Sequence, residues 1–232
     1  MIDLLYVTLA RAGSKGVPGK HTRVLGNRPV LEWTIGEVKK CANKGDYVIS
    51  SNDQEVLYLA KCNNVTALER PPRLCADMSS SIEALQHAVT VMEEAHNKTY
   101  TYVVEVMATN PFKTSLDIDA AVDILKSSGA ESVIGVAPVQ DYHPSRVKWL
   151  DENGNIRDFI AELKSGRRQD CIPPAYVRNG SIYAMTRKTL MEDGMRFGQN
   201  RSIGYVMPAE RSVNIDTEFD WMLCKAIVTW LN

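Results

Sequence analysis

Short apolar runs alternate with amphipathic stretches along most of this chain, and that alternation restricts the fold more than any other feature. "IDLLYVTL" (residues 2–9), "DYVISS" (46–51), "YTYVVEVMA" (100–108), "ESVIGVAPV" (131–139) and "GSIYAMT" (180–186) read as buried strands, with "IGYVMP" (203–208) as a short one. Between them lie helical patterns: Pro29 to about Lys40, with Pro in the first turn, then residues 52–62, 78–96 and 114–128. Residues 217–231 form a closing helix, entered at Asp216 or Thr217. Asn52 with Glu55, and Ser80 with Glu83, stand at capping-box spacing. Strands that alternate with helices imply a mostly parallel sheet covered on both faces, hence an α/β fold. With 232 residues the chain can bury one large core, and residues 1–232 are read as a single domain. The rhythm breaks over residues 140–178, a polar, Pro- and Arg-rich excursion with a hairpin signal at "DENGN" (151–155).

Lys+Arg 27 against Asp+Glu 28 gives a formal charge of −1, which carries no electrostatic footprint for nucleic acid, so any anion site must be local. The five cysteines are scattered without CxxC or Cys/His zinc spacing, the pattern of reduced thiols in a cytoplasmic protein. No run approaches the ~18 apolar residues of a membrane span, and no secretory leader pattern is visible. The expectation is a cytoplasmic protein without membrane or nucleic-acid partners.

The local anion site is sought in "ARAGSKGVPGKHTRV" (residues 10–24), directly after the first strand, because ligands of open α/β sheets sit at the carboxyl ends of the strands. Gly13 and Gly19 are spaced one residue too far for a P-loop, and His21 stands where that loop needs a hydroxyl. A dinucleotide fingerprint fails as well, since Gly13, Gly16 and Gly19 recur every third residue and Pro18 obstructs immediate entry into a helix. What remains is a polyanion cradle: glycines let backbone N–H groups approach phosphates, and Arg11, Lys15 and Lys20 supply charge. A nucleoside triphosphate with a metal ion suits that chemistry.

The same stretch resembles the N-terminal signature of the CMP-sialic acid synthetase (acylneuraminate cytidylyltransferase) family. "VISSNDQEV", "ERPPRLCADMSSSIEALQHAV", "MATNPFKTSLDID", "RRQDCIPPAYVRNGSIYAM" and "VNIDTEFDW" resemble further motifs of that family, in its order and across nearly the whole chain. The resemblance implies a Rossmann-like nucleotidyltransferase fold, mostly parallel, with residues 140–178 forming a dimerisation and sugar-site element in a homodimer. The implied reaction joins CTP to a 2-keto sugar acid, giving a CMP-sugar and pyrophosphate, with Mg²⁺ or Mn²⁺ as cofactor.

Carried over by position, Arg11, Lys20 and Asp216 are the catalytic candidates. Ala10, Arg11, Ala12, Gly13, Ser14, Lys15, Lys20, His21, Arg70, Ser79, Ser80 and Ser81 would bind the nucleotide. Met107, Thr109, Lys113, Arg168, Arg178, Asn179 and Gly180 would bind the sugar, with Arg168 or Arg178 on its carboxylate. Asp216 and Asn214 would hold the metal. Other roles compete at several positions: Asp216 could cap the last helix, Ser80 its own helix, and Arg70 could be a surface arginine. His21 and His143 are alternative proton acceptors.

Four departures bear on the substrate. His21 stands where the family has Asn, Met107 where a glutamine contacts the sugar, Asn214 where an Asp-x-Asp pair begins, and Lys113 where an Arg stands. A thioether in place of an amide suits a sugar acid other than N-acetylneuraminate, such as a legionaminic, pseudaminic, KDN-like or 8-amino octulosonate acid. Two other readings stay open: a nucleotidyltransferase that uses another triphosphate on a sugar 1-phosphate, and a sugar-nucleotide binding protein that has lost catalysis.

Overall fold

The computed structural model describes residues 3–14, 16–76, 79–161, 167 and 171–231. Its strands are β1 (Leu4–Leu9), β2 (Val24–Leu25), β3 (Arg28–Pro29), β4 (Asp46–Ser51), β5 (Thr66–Glu69), β6 (Tyr102–Val106), β7 (Ser132–Pro138), β8 (Lys148–Leu150), β9 (Ile156–Asp158), β10 (Tyr176–Thr186) and β11 (Ser202–Val206). Its helices are α1 (Val30–Lys40), α2 (Gln54–Cys62), α3 (Ser81–His96), α4 (Ser115–Ser128), α5 (Arg187–Met191) and α6 (Glu218–Leu231). A seven-stranded sheet in the order β11-β7-β10-β6-β1-β4-β5 forms the centre. The pairs β1·β4, β1·β6, β4·β5 and β11·β7 are parallel, whereas β10 runs antiparallel to both β6 and β7.

Side chains alternate across β1 as a two-residue period requires. Leu4 and Tyr6 face one layer, with Val122 and Leu125 of α4, while Leu5 and Val7 face the other, with Leu85 and Val89 of α3. Both sheet faces are therefore covered, the condition under which a near-continuous apolar strand is stable. A further cluster packs α1 and α2 on the sheet through Leu31, Ile35, Ile49, Val56 and Ala60.

The structure moves two expected boundaries and decides between two alternatives at a third. Residue Asp53, not Asn52, caps α2 by accepting from the Glu55 backbone N–H at 3.0 Å. Thr217, not Asp216, caps α6: its Oγ1 accepts from Asp220 N, and Asp220 Oδ2 accepts from Thr217 N at 2.7 Å. The chain rejoins the sheet at Tyr176 rather than Gly180, because Tyr176, Val177 and Arg178 pair with Pro138, Ala137 and Val136 before the register shifts between Arg178 and Tyr183. The hairpin expected at residues 151–155 is present as β8 and β9, in a separate two-stranded sheet. The Ser80–Glu83 capping box at the start of α3 is present in full. Among the described residues no helix is long and apolar enough to cross a membrane.

Candidate functional site

Strands β1, β4 and β6 end on the same edge of the sheet, and the loop after β1 is laid across those ends by named contacts. Ala10 N donates to Ser50 O at 3.0 Å, Ser51 Oγ donates to Ala10 O at 2.5 Å, and Ala12 N donates to Asn52 Oδ1 at 2.9 Å. Freed from capping α2, Asn52 thus steadies the glycine loop, a role its spacing to Glu55 concealed. Gly13 turns the chain with φ +80°. Gly16 lies so close to the segment before α6 that a Cβ there would stand 1.9 Å from the carbonyl oxygen of Asp216. Val17 anchors the loop tip from below, buried with Phe112, Ile215 and Trp221.

This packing brings Lys20 to Asp216 across the length of the chain: Lys20 Nζ donates to Ile215 O at 2.8 Å and to Asp216 Oδ1 at 3.0 Å. Asp216, with 64% of its side chain exposed, is presented to the cleft and not used as a cap. Asn214 Nδ2 donates to its other oxygen at 2.5 Å. Among the described residues the Oδ1 of Asn214 is buried without a hydrogen-bond partner, and so is Thr109 Oγ1.

Arg11, Ser14, Gly16, Lys20, His21, Arg70, Ser79, Ser80, Ser81, Met107, Thr109 and Asp216 line one cleft of about 360 Å³. The residues expected at nucleotide, metal and sugar thus converge from five separate segments. Ala10, Ala12 and Gly13 shape the loop beside it. Arg70 is no surface arginine; it is buried, with Nε donating to Ser50 Oγ at 3.1 Å and Nη2 to Ser50 O at 2.7 Å. Ser80 spends its hydroxyl on the Ile82 N–H as a cap, and Ser79 Oγ donates to Arg73 O. Lys15 and Arg168 lie outside the described residues.

An adjoining cleft of about 410 Å³ holds Arg178, Asn179, Gly180, Tyr183, Arg196 and Asn214. The structure changes two sugar-site expectations. Lys113 lines neither cleft: it is 1% exposed, and its ammonium donates to Thr34 Oγ1 at 2.8 Å, to Met107 O at 2.6 Å and to Asn110 O. Burial pushes its pKa down to about 7, and its work is to brace the turn that follows β6. Asn179 lines the cleft, but its amide is committed to Ser212 Oγ at 2.9 Å, Met207 Sδ at 3.1 Å and the Ser181 N–H at 3.1 Å. It shapes the turn at Gly180 and leaves no amide edge for a ligand.

Neither histidine is a good general base. His143 sits in the excursion, its ring nitrogens bonded to Ser145 Oγ at 2.8 Å and Pro173 O at 2.9 Å. His21 is in the cleft, but burial first and the neighbouring Lys20 second push its pKa down to about 4, which makes it a weak proton acceptor.

Two cleft residues escaped the sequence reading, Glu105 and Arg196. They form an ion pair at 2.5 Å between β6 and the loop before β11, a separation in sequence that no local pattern betrays. Glu105 is fully buried, and desolvation raises its pKa while Arg196 and Arg70 oppose the rise. No group of three or more His, Cys, Asp or Glu side chains able to hold a metal by itself occurs among the described residues.

A family model described as cytidylyltransferase matches residues 5–193. An N-acylneuraminate cytidylyltransferase of Streptococcus agalactiae serotype V is 28% identical over 217 residues, 92% of this chain and 50% of the relative. The chain therefore spans about half the length of that relative. A CMP-N,N'-diacetyllegionaminic acid synthase of Legionella pneumophila is 27% identical over 228 residues, covering 97% of this chain and 96% of the relative. Among solved structures, a CMP:2-keto-3-deoxy-manno-octonic acid synthetase complexed with CTP matches in fold with a TM-score of 0.74 at 14% identity, over 99% of this chain and 100% of that one.

Proposed function

The chain belongs to the cytidylyltransferase family, and from that premise we propose that it activates a 2-keto sugar acid with CTP, releasing pyrophosphate and forming a CMP-sugar. The observation that carries this reading is the cleft itself. A glycine loop pinned by Asn52 and Val17 sets Arg11 and Lys20 opposite Asp216, with Arg70 and the Ser79–Ser81 turn completing one wall. Cationic side chains and loop N–H groups would neutralise the triphosphate, and the anomeric hydroxyl of the sugar would attack the α-phosphorus from the adjoining cleft, where Arg178 stands. The protein's contribution is positioning and charge stabilisation.

A divalent ion fits the residues present. Asp216 offers a carboxylate; Asn214 turns its Nδ2 to that carboxylate at 2.5 Å, and turning the amide over would bring its Oδ1, which has no hydrogen-bond partner among the described residues, to an ion as a second oxygen ligand. One carboxylate with one amide oxygen suits Mg²⁺ or Mn²⁺ that draws its other ligands from phosphate and water. When bound, the ion supplies positive charge at the reacting phosphoryl group.

The working unit in this proposal is a homodimer in the cytoplasm. Tyr142, Trp149, Phe159 and Tyr176 in the excursion are 82%, 46%, 65% and 51% exposed, and aromatic anchors of this kind favour an interface. All five cysteines are free, as a reducing compartment favours. The test is pyrophosphate release from each of four nucleoside triphosphates against a panel of sugar acids with Mg²⁺, alongside the mass of the active species. CTP-dependent release with a free sugar acid, from a dimer, supports the proposal. Release from another triphosphate with a sugar 1-phosphate, or nucleotide binding without turnover, refutes it.

A further inference from the structure

Glu105 and Met107 stand two positions apart at the end of β6 and both line the loop cleft. One guanidinium from the loop before β11 holds the pair: Arg196 Nε donates to Glu105 Oε2 at 2.5 Å, and Nη2 lies 3.2 Å from Met107 Sδ. Its plane is seated 3.8 Å over the ring of Tyr183. Arg196 and Tyr183 line the adjoining cleft, so this cluster forms the wall between the two.

A buried ion pair adds little stability over an apolar pair of the same volume, so fold maintenance alone gives no reason for Glu105, whose side chain is 2% exposed. What the pair does achieve is fixation. The guanidinium is held on its Nε edge, at Nη2 and on one face, while its Nη1 makes no hydrogen bond among the described residues. With 18% of the side chain exposed, that free edge is a preorganised donor in the adjoining cleft. Met107 cannot supply it, because a thioether donates nothing and accepts weakly.

Resting on the sugar-acid reading above, we infer that Arg196 is a specificity-determining residue for the sugar acid, oriented by Glu105 as a positioning residue. Its Nη1 edge donates to a hydroxyl oxygen of the substrate, at the position where an acylated acid carries its acyl group. A substrate with an apolar acyl group there would leave guanidinium N–H groups unpaired and is disfavoured. The substrate class is thus a sugar acid that presents oxygen, not an acyl methyl, to the Tyr183 wall.

The experiment measures CTP-dependent pyrophosphate release on N-acetylneuraminate, its deaminated hydroxyl counterpart and a 3-deoxy-octulosonate, with the Kd for CTP read separately by calorimetry. The wild type should favour the hydroxyl-bearing acids. Arg196→Met should raise their KM roughly tenfold or more, as loss of a charged hydrogen bond does, and level the preference. The Kd for CTP should stay within about twofold, because the substitution lies outside the phosphate loop. Arg196→Lys should recover part of the preference, and Glu105→Gln should weaken it with Arg196 still present. Should Arg196→Met strand the Glu105 charge and unfold, the double variant Glu105→Gln with Arg196→Met removes both charges and is expected to lose the preference. A folded Arg196 variant with unchanged relative KM values, or a wild type that favours the acylated acid, overturns the inference. Absence of CTP turnover with every sugar acid overturns the reading on which it rests, and is told apart by the wild type alone.

Discussion

His21 gives the cleft a measurable signature in the stability of the fold. Its imidazole is 7% exposed, and burial together with Lys20 lowers its pKa from 6.5 to about 4. The folded-state value lies below the unfolded one, so the neutral ring contributes stability that is fully present above the unfolded pKa. That contribution is lost as pH falls from about 6.5 towards about 4. A difference of roughly 2.5 units at ~1.36 kcal/mol each bounds the loss at ~3 kcal/mol, of which ~2.5 kcal/mol is gone by pH ~4.5. The comparison protein is His21→Asn, whose side chain does not titrate. Carboxylates that titrate in the same window are common to both proteins and cancel in the difference. Urea unfolding followed by tryptophan fluorescence at several values between pH ~7.5 and ~4.5 gives both stabilities. The wild type should lose ~2.5 kcal/mol relative to His21→Asn across that range. A difference constant to within ~0.5 kcal/mol would show that His21 is solvated or already charged, and would refute the packing described for the loop.

Lys20→Ala should lower kcat/KM by roughly 10²–10³, far more than the lost bonds to Ile215 O and Asp216 Oδ1 lower Tm; an unchanged kcat/KM in a folded variant would remove Lys20 from the phosphate site. Thr217→Ala should cost ~1 kcal/mol of stability as a lost cap and keep most activity. Asp216→Asn should do the reverse, abolishing the Mg²⁺ dependence of turnover, and Asn214→Asp should maintain or raise activity; a metal titration of the three variants separates cap from ligand. Gly16→Ala places a methyl against the Asp216 carbonyl, 1.9 Å away before relaxation, and should weaken nucleotide binding by displacing the loop; equal Kd values by calorimetry would contradict that contact.

How much of this could be read from residues alone depends on how local each cause is. The strands, the Ser80–Glu83 cap and the hairpin at residues 151–155 rest on short-range pattern, and all appear in the structure. The antiparallel course of β10 was hidden, because an apolar run has no direction until its partners are known. Capping residues were ambiguous by one position, as at Asn52 and Asp53, since adjacent polar residues compete for the same N–H groups. Lys113 reads as a sugar ligand only by its position in a segment that resembles the family. Only the three acceptors around its ammonium reveal a brace. The Glu105–Arg196 pair joins residues 91 positions apart and leaves no trace in periodicity or composition.

Transfer of a cytidylyl group to a sugar acid is read from its products by ³¹P NMR. Enzyme, CTP, Mg²⁺ and an accepted sugar acid should convert the three CTP resonances into one phosphodiester signal and pyrophosphate, in equal amounts. No phosphodiester should form when the acid is replaced by its methyl glycoside, which lacks the attacking hydroxyl. Appearance of CDP with inorganic phosphate, or of CMP and pyrophosphate without a sugar ester, would rule out cytidylyl transfer to the acid.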